Sequence, residues 1–419
     1  MTSEQTCYIY IVLPGSTEFV TAARFHLSHT RDGMSMGELI YGKKYLSRSD
    51  AVELDPVELR LGSHQYQTTR MNGFFGAIRD AMPDYWGRKV IEYSLNKHLY
   101  EFDYLLLGPD DRAGALGFGL NVEPPAPRRL FNQTLDLANL QEIATSIINE
   151  GPTQQSDQHT ALQIQALLLE GTSMGGARPK AVVEDDNKLW IAKFSTPQDR
   201  WNQPIIENAM LTLGQICGLH VAESKMTSVA GKDVLLVKRF DRDKEKTGYF
   251  RHRMVSALTL LKSEDNPTAR EQWSYLALAD EIRRVSEKPK VDLRELFARM
   301  CFNALISNLD DHPRNHAILA REKGWRLSPA YDLTLSPVIA QETRLLAMTC
   351  GTQGRLARRE NLLSAHGRFL LSKEEAEKMI DDMVTTIKQQ WYTVLRRSGA
   401  SEKDCAIVAN AFVYQGFFY

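Results

Sequence analysis

Apolar and polar positions along the first third of the chain change period several times. Short apolar runs (CYIYIVL, ELIYG, VELRLG) alternate with polar residues, and from Phe74 to Leu99 the apolar residues recur at spacings of three and four. Strands mixed with at least one helix predict a small α/β domain over residues 1–122. The stretch EPPAPRR, Glu123 to Arg129, has three prolines in seven residues. Each fixes φ and lacks an N–H, so neither a helix nor a central strand can pass, and the first boundary falls there.

Two helical patterns follow, and 123–158 reads as a linker with its helix. The chain then turns through GTSMGGARPK, Gly171 to Lys180, where three glycines within six residues would let backbone amides approach an anion. KAVVEDDNKLWIAKFS predicts a hairpin, with Ala181 to Val183 and Leu189 to Phe194 as strands and Asp185-Asp186-Asn187 as the turn. Lys193 shares a strand face with Leu189 and Ile191. Pro204 to Cys217 carries a helical apolar stripe with Glu207 in its first turn, and Gly218 stops it. After the strand Val234 to Val237 comes KRFDR, then a charged run expected to be flexible. The remainder is almost wholly helical, with helix starts at Asp292 (with Glu295), at Ser372 (with Glu375) and at Ser401. This gives a second two-lobed unit, 159–245 and a mostly helical 246–419.

Composition narrows the classes. With 51 Lys+Arg against 52 Asp+Glu, the net charge of −1 excludes a global positive field, the simplest route to nucleic acid. Five scattered cysteines, none in CxxC spacing, suggest neither a disulfide framework nor a thiolate zinc site and fit a reducing cytoplasm. The first apolar run is only a strand long and has no basic n-region, so neither a leader nor a membrane span is expected. A chain of 419 residues can bury about three quarters of its unfolded surface.

The chemistry concentrates in Asn308-Leu-Asp310-Asp311-His312-Pro313-Arg314-Asn315-His316. Asp310 and Asn315 have the D-x-x-x-x-N spacing in which one side chain orients an attacking hydroxyl and the other ligates a metal. Asp332 follows 17 residues after Asn315, across two short strands, as the second metal ligand. Hard oxygens of this kind suit Mg²⁺. Spacing alone is weak; the order is specific. A Gly-rich turn, a strand lysine, a helix glutamate, the Asp/Asn pair and a last Asp each solve a separate problem of phosphoryl transfer from ATP.

These residues resemble the HipA-type serine/threonine kinases, toxins of bacterial toxin-antitoxin modules. NLDDHPRNH and PAYDL are similar to the catalytic and metal-binding loops, SMGGARPKAVV to the phosphate loop, and LWIAKF, IIENAMLTLGQICGL and LVKRFDR to the lysine strand, glutamate helix and hinge. FFGAIRDAMPDYWGR, DRAGALGF and LAMTCGTQGRLARRENLL extend the match to nearly the whole chain. The resemblance implies an α+β fold, a bilobal protein-kinase-like catalytic unit behind a small α/β domain. It implies Asp310 as catalytic base and Asn315 and Asp332 as Mg²⁺ ligands. It implies ATP contacts from Ser173, Gly175, Gly176, Lys180, Lys193, Lys238, Phe240, Asp241 and His312, with Glu207 holding Lys193 and Ser173 as the autophosphorylated serine. A HipB-like helix-turn-helix antitoxin would be the partner, supplying the contacts to operator DNA, and a component of translation, such as an aminoacyl-tRNA synthetase, the substrate. Two features depart from the family: Asp311, where some members carry glycine, which leaves the catalytic pair intact, and Arg178-Pro179, which stiffens the phosphate loop.

Two other readings compete. His312 and His316 with Asp310 and Asp311 could form the transition-metal site of a phosphodiesterase or nuclease, which leaves Lys193 and the Gly-rich turn without a task. A chiefly non-catalytic corepressor that binds an antitoxin is the other. A snorkelling Lys193 and a Glu207 placed by the helix dipole are the plain structural alternatives.

Overall fold

The amino-terminal alternation folds into a five-stranded antiparallel sheet whose spatial order is Tyr66–Thr68, Ser35–Tyr41, Phe19–His29, Gln5–Val12 and Leu116–Gly119. The computed structural model describes residues 5–29, 33–95, 99–133, 136–150, 178–336 and 343–419. In Gln5–Val12 the residues Cys7, Ile9, Tyr10, Ile11 and Val12 are all buried. The register steps between Ile9 and Tyr10, where the neighbouring strand Phe19–His29 carries the extra residue Ala22.

The periodic segment over 74–99 is two helices, Gly76–Asp80 and Tyr85–Leu95. Pro83 separates them, since it has no N–H and its ring obstructs the preceding turn. Asp84 starts the second: its Oδ1 accepts from the Gly87 N–H at 2.7 Å and its carbonyl from the Arg88 N–H at 2.9 Å.

Contacts divide the chain into one unit of residues 1–196, 238–255 and 319–323 and another of 197–237, 256–318 and 324–419. The first holds the hairpin Lys180–Asp185 and Lys188–Phe194. Asp186 and Asn187 form its turn with φ of 48° and 58°, the double left-handed geometry of a type I′ turn. The charged run expected to be flexible is instead a second hairpin, Arg242–Glu245 with Gly248–Arg251. One aromatic anchors it: Tyr249 packs with Phe131, Val182 and Leu189, and Lys244 reaches Glu184 at 2.8 Å.

The second unit is mostly helical. Lys373–Arg397 and Glu402–Val408 begin at Ser372 and Ser401, each with a reciprocal capping box. The long central helix starts earlier than its acidic residues suggest, at Pro289, and runs to Leu305. Asp292 lies within its first turn, and its carboxylate binds Arg326 at 2.9 Å and the Leu327 N–H at 3.0 Å instead of capping. Leu293, Leu296, Phe297, Met300, Phe302 and Leu305 of this helix are fully buried, in the core of the unit. Among the described residues no helix is long and apolar enough to cross a membrane.

One buried carboxylate gives the fold a pH dependence. Burial pushes Asp55 up to about 6, against three backbone N–H groups (Val57, Glu58 and Leu59) that donate to its Oδ1 and favour the charged form. The unfolded chain releases this proton near pH ~4, so the folded state binds the extra proton between the two values, and stability falls as pH rises through that window. Asp55→Asn keeps the acceptor and removes the titration. Urea unfolding should then lose about 1–3 kcal/mol less between pH ~4 and ~7 than in the wild type; an identical pH profile contradicts this account.

Candidate active site

The candidate residues divide between the units. Lys180, Lys193, Lys238, Phe240 and Asp241 belong to the first, and Glu207, Asp310, His312, Asn315 and Asp332 to the second. Ser173, Gly175 and Gly176 lie outside the described residues.

In the second unit the chain leaves the central helix through Ser307, whose φ is +57°. That strained exit is held from below: the Ser307 hydroxyl donates to the Ala411 carbonyl at 2.6 Å and also receives Arg344. Asn308, fully buried, ties back to Asn303 through its own N–H at 2.8 Å and its side-chain amide at 3.1 Å. Asp310 then emerges exposed. Its carbonyl accepts from the His312 N–H at 2.8 Å and from Asn315 Nδ2 at 3.4 Å. The Asp/Asn pair is thus brought together, and with its nitrogen turned to Asp310 the Asn315 amide keeps Oδ1 for a hard cation.

The two strands expected beyond the loop are present, Ala317–Ala320 and Arg326–Leu327. They return the chain to Tyr331, whose hydroxyl donates to the Arg314 carbonyl at 2.7 Å, one residue before Asn315. Next comes Asp332 with φ of +56°. A non-glycine residue in the left-handed region costs on the order of 1–3 kcal/mol and persists where surroundings impose it, often at functional sites.

Asp311 has a role the sequence did not reveal. Its side chain is buried and accepts from the Tyr275 hydroxyl and from His316 Nε2 at 2.7 Å, while Asn303 Nδ2 donates to Tyr275 at 3.3 Å. Burial, and then the charge of Asp311, push the Tyr275 phenol well above its ordinary range, so it stays a donor. The only clue in the sequence was the doubled Asp with a His five residues on. With Asp311 and His316 bonded to each other, and His312 set apart against Trp273 with ring centres 6.3 Å away, the transition-metal grouping does not assemble. Among the described residues no three His, Cys, Asp or Glu gather as a metal site.

Glu207 is buried in the helix Gln203–Ile216, which is capped by Asn202 Oδ1 on the Ile205 N–H at 3.3 Å. It sits just past the first turn, where the helix dipole has largely faded, so the dipole is a poor reason for a buried carboxylate.

In the first unit Lys193 stands half-buried directly across the hairpin from Lys180. Lys180 is itself 2% exposed and paired with Asp84 at 2.7 Å. Lys238 ends the strand Lys232–Lys238, and Phe240 follows half-buried. Asp241 is sealed: it accepts from Arg239 Nε at 3.0 Å and Nη2 at 2.9 Å, from Arg242 Nη1 at 2.8 Å and from the Gly114 N–H at 2.9 Å. Burial opposes its ionisation, yet the Arg239 and Arg242 guanidiniums hold its carboxyl well below the usual range.

This mixed α+β chain shares its fold with the Shewanella oneidensis MR-1 HipA toxin-antitoxin structure, solved with HipB and operator DNA. The TM-score is 0.69 at 17% identity, over 96% of this chain and 95% of that one. The profile of the HipA-like C-terminal domain matches residues 172–391, more than half of the sequence, and the chain belongs to that family. A Sinorhizobium fredii (strain NBRC 101917 / NGR234) protein named "Putative kinase Y4mE" is 30% identical over 161 residues, which are 36% of this chain and 37% of that protein. A Haemophilus influenzae (strain ATCC 51907 / DSM 11121 / KW20 / Rd) protein named "Putative kinase" is 29% identical over 186 residues, 40% of this chain and 54% of that one. The chain thus spans between about a third and a half of the length of these relatives.

The two adjacent aspartates should differ sharply in their response to truncation. Asp311→Ala strands a tyrosine hydroxyl and a histidine nitrogen in the core and should lower the unfolding free energy by about 2–4 kcal/mol. Asp310→Ala, at an exposed site, should change it by less than about 0.5 kcal/mol. Equal losses in urea titrations would contradict the division.

Proposed function

We propose that the chain is a serine/threonine protein kinase of the HipA type that transfers the γ-phosphoryl group of ATP to a protein hydroxyl. The observation that carries the reading is the arrangement around Asp310: an exposed carboxylate on a rigidly held loop, Asn315 folded against its backbone, and Asp332 kept in a strained conformation one residue past the Tyr331 latch. Asp310 would orient the acceptor hydroxyl and take its proton. Asn315 Oδ1 and the Asp332 carboxylate are a hard-oxygen set that fits Mg²⁺. Bound there, Mg²⁺ would neutralise charge on the transferring phosphoryl group. Lys193 would grip the α and β phosphates, Glu207 would fix that lysine, and Lys238 to Phe240 would offer backbone to adenine.

The reading carries a chain organisation with it: an accessory domain over 1–122, a linker to 158, an N-lobe to 245 and a C-lobe to 419, in a cytoplasmic protein. A HipB-like antitoxin is the proposed partner, supported by the shared fold with a HipA solved together with HipB and operator DNA. The proposed substrate is a protein of the translation machinery, as in the family resembled.

Asp310→Gln tests this. With ATP and Mg²⁺, labelling of a protein acceptor or of the chain itself should fall by about 10²- to 10⁴-fold while the fold is retained. Undiminished labelling would remove Asp310 from its role. A wild type that neither labels nor hydrolyses ATP would favour the corepressor reading.

A further inference from the structure

Lys180 and Lys193 are partners across an antiparallel hairpin, so their Cβ atoms stand on one face, directly opposite. Like charges in that register repel. Lys180 is also 2% exposed, where an uncompensated ammonium is expensive. The compensation comes from the amino-terminal domain. Asp84 Oδ2 lies 2.7 Å from Lys180 Nζ, with both side chains buried. Two residues on, the Trp86 indole Nε1 donates to the Lys180 carbonyl at 3.0 Å, so the same helix start holds the strand by side chain and by backbone. Asp84 is fixed in turn, its other oxygen capping the helix on the Gly87 N–H at 2.7 Å.

We propose that Asp84 is a positioning residue of the nucleotide site: it neutralises Lys180 at the base of the hairpin, so that Lys193 presents the charge offered to the ATP phosphates. Lys180, expected from the family resemblance among the ATP-binding residues, acts on this account through the strand and without touching the nucleotide. The inference rests on the kinase reading, and it makes the accessory domain part of the nucleotide site's support.

The test is steady-state phosphoryl transfer by the full-length chain with ATP and Mg²⁺, at temperatures well below each variant's melting point. Asp84→Asn keeps an oxygen for the helix cap but removes the charge. KM for ATP should rise about tenfold with kcat within about threefold of wild type. Adding Lys180→Met removes the ammonium that Asp84 no longer balances, and the double variant should return KM for ATP to within about threefold of wild type. A purely structural ion pair would lower the melting temperature and leave KM unmoved. Lys193→Met is the control for the underlying reading and should reduce kcat/KM at least about a hundredfold. If the wild type transfers no phosphate from ATP, the kinase reading fails and this inference with it. If wild type and Lys193→Met behave as expected but Asp84→Asn keeps KM for ATP within about twofold, or the double variant is no better than the single, the positioning role is overturned and the kinase reading stands.

Discussion

The carboxylate of Asp241 is shut away from water, and the chain around it is organised to make that tolerable. An uncompensated buried ion costs several kcal/mol, so its partners cannot be approximate. Arg239, just past the strand Lys232–Lys238, and Arg242, at the start of the next, close on Asp241, and Gly114 offers its N–H from the amino-terminal domain. Each guanidinium must then satisfy its remaining donors. Arg239 does so on the carbonyls of Asp111 at 2.7 Å and Arg112 at 3.0 Å, and Arg242 on those of Arg112 at 2.6 Å and Gly114 at 2.7 Å. Two segments far apart in sequence, 111–114 and 239–242, become one object. Arg251 on Asp110 and Arg253 on Glu53 continue the same attachment. Buried ion pairs of this kind contribute modestly to net stability but strongly disfavour alternative arrangements, because each misplacement strands a charge.

The same logic operates in the loop of residues 307–316. Burying Asp311 against Tyr275 and His316 fixes the loop's inner side, and Asp310, the residue before it, faces outward. Backbone strain marks where the loop begins and where the returning chain meets it, at Ser307 and Asp332. Neither conformation is self-supporting. One is tied down by the Ser307 hydroxyl on Ala411, the other by the Tyr331 hydroxyl on Arg314.

Local chemistry was legible in the sequence wherever a local rule was decisive. Asp186-Asn187 specified a tight turn because both residues tolerate positive φ, and Ser372 with Glu375 specified a helix start because the cap needs no tertiary partner. The helix that leads into the Asp310 loop and the two short strands before Asp332 also stand where the pattern expects them. Where tertiary contacts decide, pattern reading misled. Periodicity carried one helix across Pro83, whose effect on the backbone outweighs any apolar stripe. The Arg242–Arg251 hairpin has too little apolar alternation to signal a strand, and its anchor is the single ring of Tyr249 against Phe131. Asp292 resembled a cap but serves Arg326, and Pro289 begins the helix. Asp311 looked like a bystander because its partner Tyr275 is 36 residues away, and Asp84 because Lys180 is 96 away.

These last two cases share a form. Asp310 and Asp311 are adjacent in sequence, Lys180 and Lys193 adjacent across a hairpin, and each couple places two like charges where repulsion would scatter them. In each, one member is drawn inside and bonded, Asp311 by Tyr275 and His316, Lys180 by Asp84. The inner charge is thereby screened from its neighbour and locked in place, and the outer one inherits a rigid backbone. Long side chains that reach toward solvent are costly to immobilise one by one. Anchoring the neighbouring residue restricts the backbone from which the outer side chain extends, and it does so without covering the outer group itself.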